Sequence, residues 1–171
     1  MALFAISANA QWVITPDGVL VDPATNKPYK VIEREGTASE LYKEMLKNVH
    51  SLFTNPDNVL STIENEMISI RGRAPETVVK GGIFKGSVEP LISMKIEFKD
   101  GRMRVSAQWV GVSWQGRPDI EPHTLLVVGM MHCFDENGEV NNKTRYNAYN
   151  RVSTGFIETI LNAHSKTDDD W

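Results

Sequence analysis

The sequence predicts an α+β fold, in which a curved antiparallel sheet carries two amphipathic helices on one of its faces. Residues 91–110 alternate apolar and polar side chains about Asp100-Gly101, which is typical of a hairpin. Two other segments, near residues 37–53 and 146–164, repeat apolar residues at three- and four-residue steps, the period of a helix. The expected order is strand, helix, four strands and helix, and one extra strand is possible.

Turn signals dominate residues 11–29, where Pro16-Asp17-Gly18, Asp22-Pro23 and Lys27-Pro28 occur in succession. Residues 18–21 between these turns predict a short edge strand. Residues 31–35 predict the first core strand.

The first helix has a clear beginning and end. Thr37 and Glu40 have the spacing of a capping box, in which each side chain bonds a free backbone N–H of the first turn. Asn55-Pro56-Asp57 ends the segment, because proline removes a backbone donor. The apolar stripe between these signals consists of Leu41, Met45, Val49 and Leu52.

The hairpin has a register that the sequence fixes, because a slip of one residue would bury its charges. Folding at Asp100-Gly101 places eight apolar residues on one face, in the pairs Ile92 and Trp109, Met94 and Ala107, Ile96 and Val105, and Phe98 and Met103. The opposite face receives the polar pairs Ser93 and Gln108, Lys95 and Ser106, and Glu97 and Arg104. Such alternation indicates a sheet with one buried and one solvated face.

The remaining elements are shorter or less regular. Residues 59–63 and 67–73 predict two strands, and residues 78–84 predict a weaker one because Gly81-Gly82 loosens it. Residues 124–134 are a nearly continuous apolar run that predicts a strand or a buried segment. The last helix follows the stripe Tyr146, Tyr149, Val152, Phe156, Ile157, Ile160, Leu161 and His164.

Size and charge limit the classes of function. The 171 residues, with 41% hydrophobic and 23% charged content, fit a single α+β domain over residues 11–165. Residues 65–105 carry eight basic and five acidic side chains, so this stretch is +3 and the rest of the −4 chain is −7. That excess is too small to indicate a nucleic-acid partner.

The first ten residues predict export. An apolar stretch precedes Ala8-Asn9-Ala10, which has the small-x-small form of a signal-peptidase site. We therefore interpret residues 1–10 as the remnant of a secretory signal and expect a periplasmic or secreted protein beginning at Gln11; the alternative is a first strand over residues 3–7. Residues 166–171 form an acidic tail. No apolar run approaches the ~20 residues that span a bilayer.

Three short motifs resemble a known family: Ser39-Glu40-Leu41-Tyr42, Ile68-Ser69-Ile70-Arg71-Gly72, and IEFKDGRMR at residues 96–104. Their spacing, over about residues 31–110, resembles an exported bacterial domain-of-unknown-function family with a TATA-binding-protein-like fold. The resemblance implies the fold and export, and it implies no catalytic residues. DNA binding does not follow from it, because the exposed hairpin face is mixed polar and the chain is acidic.

Two sets of residues are candidates for binding. The aromatic residues could line a pocket between the sheet and the C-terminal helix that suits an apolar or sugar ligand, although core packing also explains them: Trp109, Trp114, Tyr146 and Tyr149. The basic residues could form an interaction surface, provided that they lie in one exposed patch that Glu97 does not neutralise: Arg71, Lys95 and Arg104.

The sequence predicts no catalytic residue, metal site or cofactor. His132-Cys133 with Asp135 contains the residue types of a thiol catalytic set, but neighbours on a strand point to opposite faces. The histidines show no metal-ligand spacing: His50, His123, His132 and His164.

These observations favour an exported, non-catalytic binding or interaction domain of the bacterial cell envelope, with an envelope protein or a glycan as partner. The alternative is a carrier of a small apolar ligand or sugar, with its cavity between the sheet and the last helix. An enzyme of unknown class is the third hypothesis.

Overall fold

A long hairpin forms the centre of the computed structural model, which describes residues 11–81 and 84–162. Its strands are β7 (Phe84–Lys99) and β8 (Arg102–Trp114). Gly101 adopts a φ of +75°, the left-handed conformation that this turn requires. The register is the expected one, with Phe98 opposite Met103 and Ile92 opposite Trp109. The predicted hairpin is therefore confirmed residue by residue.

The hairpin bends where the register shifts by one residue. Leu91 lies opposite Gly111, whereas Ile92 lies opposite Trp109, so Val110 is the extra residue on β8. An inserted residue of this kind bends a strand and increases its twist. The sheet is thus curved near its middle.

Six further strands complete an antiparallel sheet of eight within the described residues. The hydrogen-bonded order is β1-β2-β8-β7-β5-β4, with β3 also paired to β8 and β6 also paired to β7. Their bounds are β1 Val13–Ile14, β2 Val19–Val21, β3 Lys30–Glu33, β4 Leu60–Ile63, β5 Met67–Arg73 and β6 Thr77–Gly81.

One predicted strand has a different place in the sheet. Residues 31–35 were expected to form a core strand, but β3 pairs only with β8 and leaves Val31 50% exposed. Its alternate residue Ile32 packs against the core. The expectation of a core strand is wrong, because only one side of this short strand meets apolar neighbours.

Helix α1 (Ala38–Leu52) begins as the sequence predicts. The Thr37 Oγ1 accepts a bond from the Glu40 backbone N–H at 3.3 Å, and Glu40 accepts one from the Thr37 N–H at 2.8 Å. The Glu40 carboxylate also accepts from the Thr37 hydroxyl at 2.9 Å, and the bonds that it accepts from the Thr37 N–H and hydroxyl lower its pKa below the usual value. The adjacent turn is tied to the hairpin, since the Asp100 carboxylate accepts from the Ala38 N–H at 2.8 Å.

Helix α2 (Lys143–Leu161) packs on the same face of the sheet as α1. Tyr149 of α2 meets Trp109 of β8 edge to face at 5.5 Å, and Tyr42 of α1 meets Phe98 of β7 at 5.7 Å. The apolar face of the hairpin therefore becomes the core, with Ile92, Met94, Ile96 and Val105 fully buried. Within the described residues, neither helix is long and apolar enough to cross a membrane.

Residues 124–134 are not a strand. Thr124–Val128 forms a single π-helical turn, and the chain then folds back so that Cys133 and Phe134 donate to the Leu126 carbonyl at 2.9 and 3.1 Å. Leu125 and Leu126 are fully buried. The alternative of a buried segment is the correct one, because apolar content alone does not distinguish a strand from a helical turn.

Side chains of α2 cover the edge of the sheet at β1. Asn150 Oδ1 accepts from the Ile14 N–H at 2.8 Å, and Thr154 Oγ1 accepts from the Trp12 N–H at 2.9 Å. These contacts occupy backbone donors that an exposed edge strand would offer to another chain. A helix thereby closes a sheet edge through polar side chains.

Replacing Asn150 by alanine should lower the free energy of unfolding by about 1–3 kcal/mol, because the buried Ile14 N–H loses its acceptor. Asn147→Ala, on the exposed side of the same helix, is the matched control and should change it by less than about 0.5 kcal/mol. Urea denaturation of both variants measures the difference. Equal losses in the two variants would contradict this role for Asn150.

Candidate functional site

The face of the sheet opposite the helices is the candidate site, and we call it the outer face. It carries the polar side chains that alternate with the buried ones on β5, β7 and β8. Because both helices occupy the other face, these side chains are half-buried or exposed. The outer face comprises Ser69, Arg71, Ser93, Lys95, Glu97, Arg104, Ser106 and Gln108.

An ion pair fixes the centre of the outer face. Arg104 donates two hydrogen bonds to the Glu97 carboxylate, at 2.8 Å from Nε and 2.7 Å from Nη2. Lys95 Nζ lies 3.4 Å from the same carboxylate. The hydrogen bonds from Arg104 lower the pKa of Glu97 and raise that of Arg104. Glu97 is therefore ionised at neutral pH and held in one orientation.

The three basic residues of the predicted interaction surface lie together on this face. Arg71 lies opposite Ser93, while Lys95 lies opposite Ser69 on the neighbouring strand. Within the described part of the chain, no carboxylate forms an ion pair with Arg71. Glu97 offsets one of the three charges, so the cluster keeps a net positive charge. Binding through this surface remains a prediction.

Small hydroxyl groups form the floor between the charges. Ser69, Lys95 and Ser106 are aligned across three strands, and Ser93 lies beside Gln108 in the next row. The serines are half-buried, while Gln108 is exposed. Because the serine side chains are short, the floor lies below the ends of longer neighbouring side chains. These longer side chains, such as Arg104, form the walls of a groove.

Tyr29 borders the floor, and two grooves meet beside it. The Tyr29 ring lies 5.5 Å from the Arg104 guanidinium carbon and 5.6 Å from Lys27 Nζ, distances typical of cation–π contacts. One groove, of about 460 Å³, covers the serine floor. The other, of about 540 Å³, continues past Glu97 toward the apolar residues Val31 and Ile63. Both volumes suit a small ligand or a segment of a longer one.

The four aromatic residues do not gather around one opening. Trp109 is 2% exposed and Tyr149 is fully buried, with their polar atoms bonded to Ser153 at 2.8 Å and to the Met131 carbonyl at 2.8 Å. Tyr146 packs on Phe134 with ring centres 5.6 Å apart. Trp114 is half-buried beside Gly86, at the far end of the hairpin. A ligand pocket built by these residues stays a prediction.

The titratable residues of the 132–135 segment take part in core packing and in local hydrogen bonds. Cys133 is buried, and burial raises the pKa of its thiol to about 12. His132 Nδ1 is 2.8 Å from the Gly129 carbonyl, and the Asp135 carboxylate accepts backbone bonds within its own turn.

The histidines occupy separate places. His123 is exposed, 3.6 Å from Asp17, and His50 is exposed in the last turn of α1. Across residues 11–81 and 84–162, no three His, Cys, Asp or Glu side chains gather as a metal site would require. The expectations for His164 and for residues 1–10 and 166–171 concern positions outside the described residues.

Sequence reasoning missed Tyr29 and the apolar groove wall. Tyr29 follows a turn and belongs to no periodic segment, so no local pattern marks it. Val31 and Ile63 are 50% and 51% exposed. The sequence predicted their strands but did not show which face of the sheet these two residues occupy. The serine floor was visible as the polar half of the hairpin alternation, although only its charges were singled out.

Arg104→Gln should raise the pKa of Glu97 toward its ordinary value of 4.5. Because the folded pKa is lowered, the pair stabilises the protein fully above pH 4.5 and less as the pH falls through the folded pKa. Carbon-13 NMR titration of the carboxyl carbon measures the shift, with Lys47→Gln on α1 as the control. An unchanged Glu97 pKa in Arg104→Gln would contradict the assigned cause.

Comparisons with known proteins show the fold. The chain is similar to a solved DUF4468 family protein from Bacteroides ovatus, with a TM-score of 0.54 and 10% identity over 82% of this chain and 88% of that one. It is also similar to a solved TBP-like protein from Parabacteroides distasonis, with a TM-score of 0.48 and 13% identity over 80% of this chain and 92% of that one. No protein-family model and no curated protein matches the sequence. The chain thus shares the α+β fold of the Bacteroides ovatus protein, as the sequence resemblance implied.

Proposed function

We propose that this protein is a non-catalytic binding domain of the bacterial cell envelope that holds an acidic glycan on the outer face of its sheet. The observation that carries the proposal is that the three basic residues of the interaction surface share one face of the sheet with the half-buried serines. Helices cover the opposite face, so this is the broad polar surface of the sheet that stays open to a partner.

The chemistry of the outer face suits a chain that bears both hydroxyl and carboxylate groups. Serine hydroxyls and the Gln108 amide can donate and accept hydrogen bonds. Arg71 and Lys95 supply charge for a carboxylate, and Arg104 already holds Glu97 in the plane of the face. The two grooves meet at Tyr29, so a ligand of several sugar units could pass from one to the other.

The pKa values of Glu97 and Cys133 give no support to a catalytic role for either group. A general acid or base needs a pKa near the working pH. The pKa of Glu97 is lowered by Arg104, and that of Cys133 is raised to about 12 by burial. Neither group is tuned for proton transfer near neutral pH.

The carrier hypothesis has less support. It places the ligand between the sheet and α2, where the described side chains form closed packing. Trp109, Tyr149, Ile157 and Ile160 are all at most 2% exposed there. A carrier would have to separate the helix from the sheet to admit a ligand.

The envelope location rests on the sequence of residues 1–10, with its apolar stretch and Ala8-Asn9-Ala10. An exported protein would meet surface glycans directly, which is consistent with the proposed ligand. Intact-mass measurement of the native protein tests the location independently, because export predicts cleavage after Ala10. An uncut chain recovered from the cytosol would contradict this part.

Nitrogen-15 NMR titration with trigalacturonate, an acidic oligosaccharide, tests the ligand class. Backbone signals of Ser69, Ser93 and Ser106 should shift together, whereas neutral maltotriose should shift them far less. Arg71→Gln with Lys95→Gln should weaken binding roughly tenfold, since exposed charge contacts contribute up to about 1 kcal/mol each.

The control double variant is Lys43→Gln with Lys47→Gln, which removes the same charge from the exposed side of α1. It should bind trigalacturonate as the natural sequence does. Shifts confined to other surfaces, equal weakening by the two double variants, or no shift at millimolar trigalacturonate would each overturn the proposal.

A further inference from the structure

We propose that a second surface, at the end of the sheet far from Asp100-Gly101, docks on an anionic lipid bilayer. We call it the tip surface and define it by Lys80, Lys85, Trp114, Val128 and Met130. It lies outside the outer-face site, so the inference goes beyond the proposed function.

The tip surface contains large apolar side chains that are exposed to solvent and do not contribute to the core. Val128 is 72% exposed and Met130 is 65% exposed, the first at the end of the π-helical turn and the second just beyond it. Leu126 and Met131 are at most 1% exposed, so buried residues flank the exposed pair on both sides. Neighbouring exposed apolar residues on one loop indicate a contact surface more strongly than scattered ones do.

A pair of like charges lies at the same end. Lys80 on β6 is directly opposite Lys85 on β7, and both are exposed. Like charges in such a pair destabilise a sheet. No carboxylate among the described residues forms an ion pair with either lysine. The fold therefore keeps two unpaired cations side by side at a local cost.

Arg145 shows that the apolar loop and the lysine pair adjoin. This arginine is 8% exposed, and it donates to the Lys80 carbonyl at 3.1 Å and to the His132 carbonyl at 2.8 Å. His132 is only two residues beyond Met130. One guanidinium group thus spans the distance between the two segments.

Trp114 adds an aromatic group to the same end. Its indole nitrogen lies 3.1 Å from the position of a Cβ on Gly86, and the Met131 methyl lies 2.8 Å from that position. Gly86 directly follows Lys85 in the chain. Trp114 is half-buried, and a tryptophan with one apolar side and one polar edge is typical of bilayer interfaces.

Charge complementarity identifies the occupant as an anionic bilayer. Exposed apolar side chains flanked by lysines are the combination that inserts shallowly among acyl chains while lipid phosphates neutralise the cations. The chain as a whole carries −4, so attraction to such a bilayer must come from a local surface. Because few side chains take part, we expect weak, reversible binding that falls as salt rises.

Co-sedimentation of the full chain with phosphatidylglycerol vesicles tests the inference, with phosphatidylcholine vesicles as the uncharged comparison. The protein should pellet with phosphatidylglycerol and much less with phosphatidylcholine. Lys80→Gln with Lys85→Gln should weaken binding roughly 5-fold per lysine. Val128→Ser with Met130→Ser should weaken it by about tenfold or more.

Matched controls exist elsewhere on the molecule. Lys43→Gln with Lys47→Gln removes equal charge from α1, and Val31→Ser with Ile63→Ser removes half-exposed apolar groups from the groove beside Tyr29. Because every variant keeps residues 1–10, any vesicle affinity of that segment is common to all. Absence of binding to phosphatidylglycerol, or tip variants that bind as the controls do, would overturn the inference.

Discussion

One constraint organises this molecule: only one face of the β7–β8 hairpin can be buried. Ile92, Met94 and Ile96 point to that face, and each contributes roughly 1.5–3 kcal/mol when removed from water. A slip of one residue would instead bury Lys95 and Glu97. The register therefore decides, along the whole ribbon, which side chains belong to the core and which remain in solvent.

The other elements follow from this division. Both helices lie on the apolar face, with Tyr42 of α1 against Phe98 and Tyr149 of α2 against Trp109. The polar atoms of Trp109 and Tyr149 form hydrogen bonds inside the core. The core is therefore closed to solvent as well as apolar. The surfaces that we propose for binding are consequently the outer face and one end of the sheet, where charged side chains reach solvent.

The parts of the structure that sequence could predict are those set by short-range rules. Asp100-Gly101 and the alternation around it fix the hairpin, and Thr37 with Glu40 fixes the start of α1. The parts that it missed depend on distant partners. The bond from the Ile14 N–H of β1 to Asn150 Oδ1 joins residues 136 apart in sequence, and no local pattern reports it.

The same contrast between short-range patterns and distant contacts explains which residues of the candidate sites could be placed from the sequence. Arg71, Lys95 and Arg104 could be placed on one face because each belongs to a strand with a readable alternation. Tyr29 could not, since its position depends on how a turn meets β8. The apolar content of residues 124–134 left a strand and a buried segment equally open, and contacts with the sheet and α2 fold them into a buried π-helical turn and a reversal.

Cysteine accessibility along β7 tests the one-sided burial most directly. In a Cys133→Ser background, single cysteines at residues 92 to 97 would be exposed in turn to a maleimide under native conditions. One-sided burial predicts rapid labelling at Ser93, Lys95 and Glu97 and strong protection at Ile92, Met94 and Ile96. Uniform labelling, or protection of the odd-numbered positions, would contradict it.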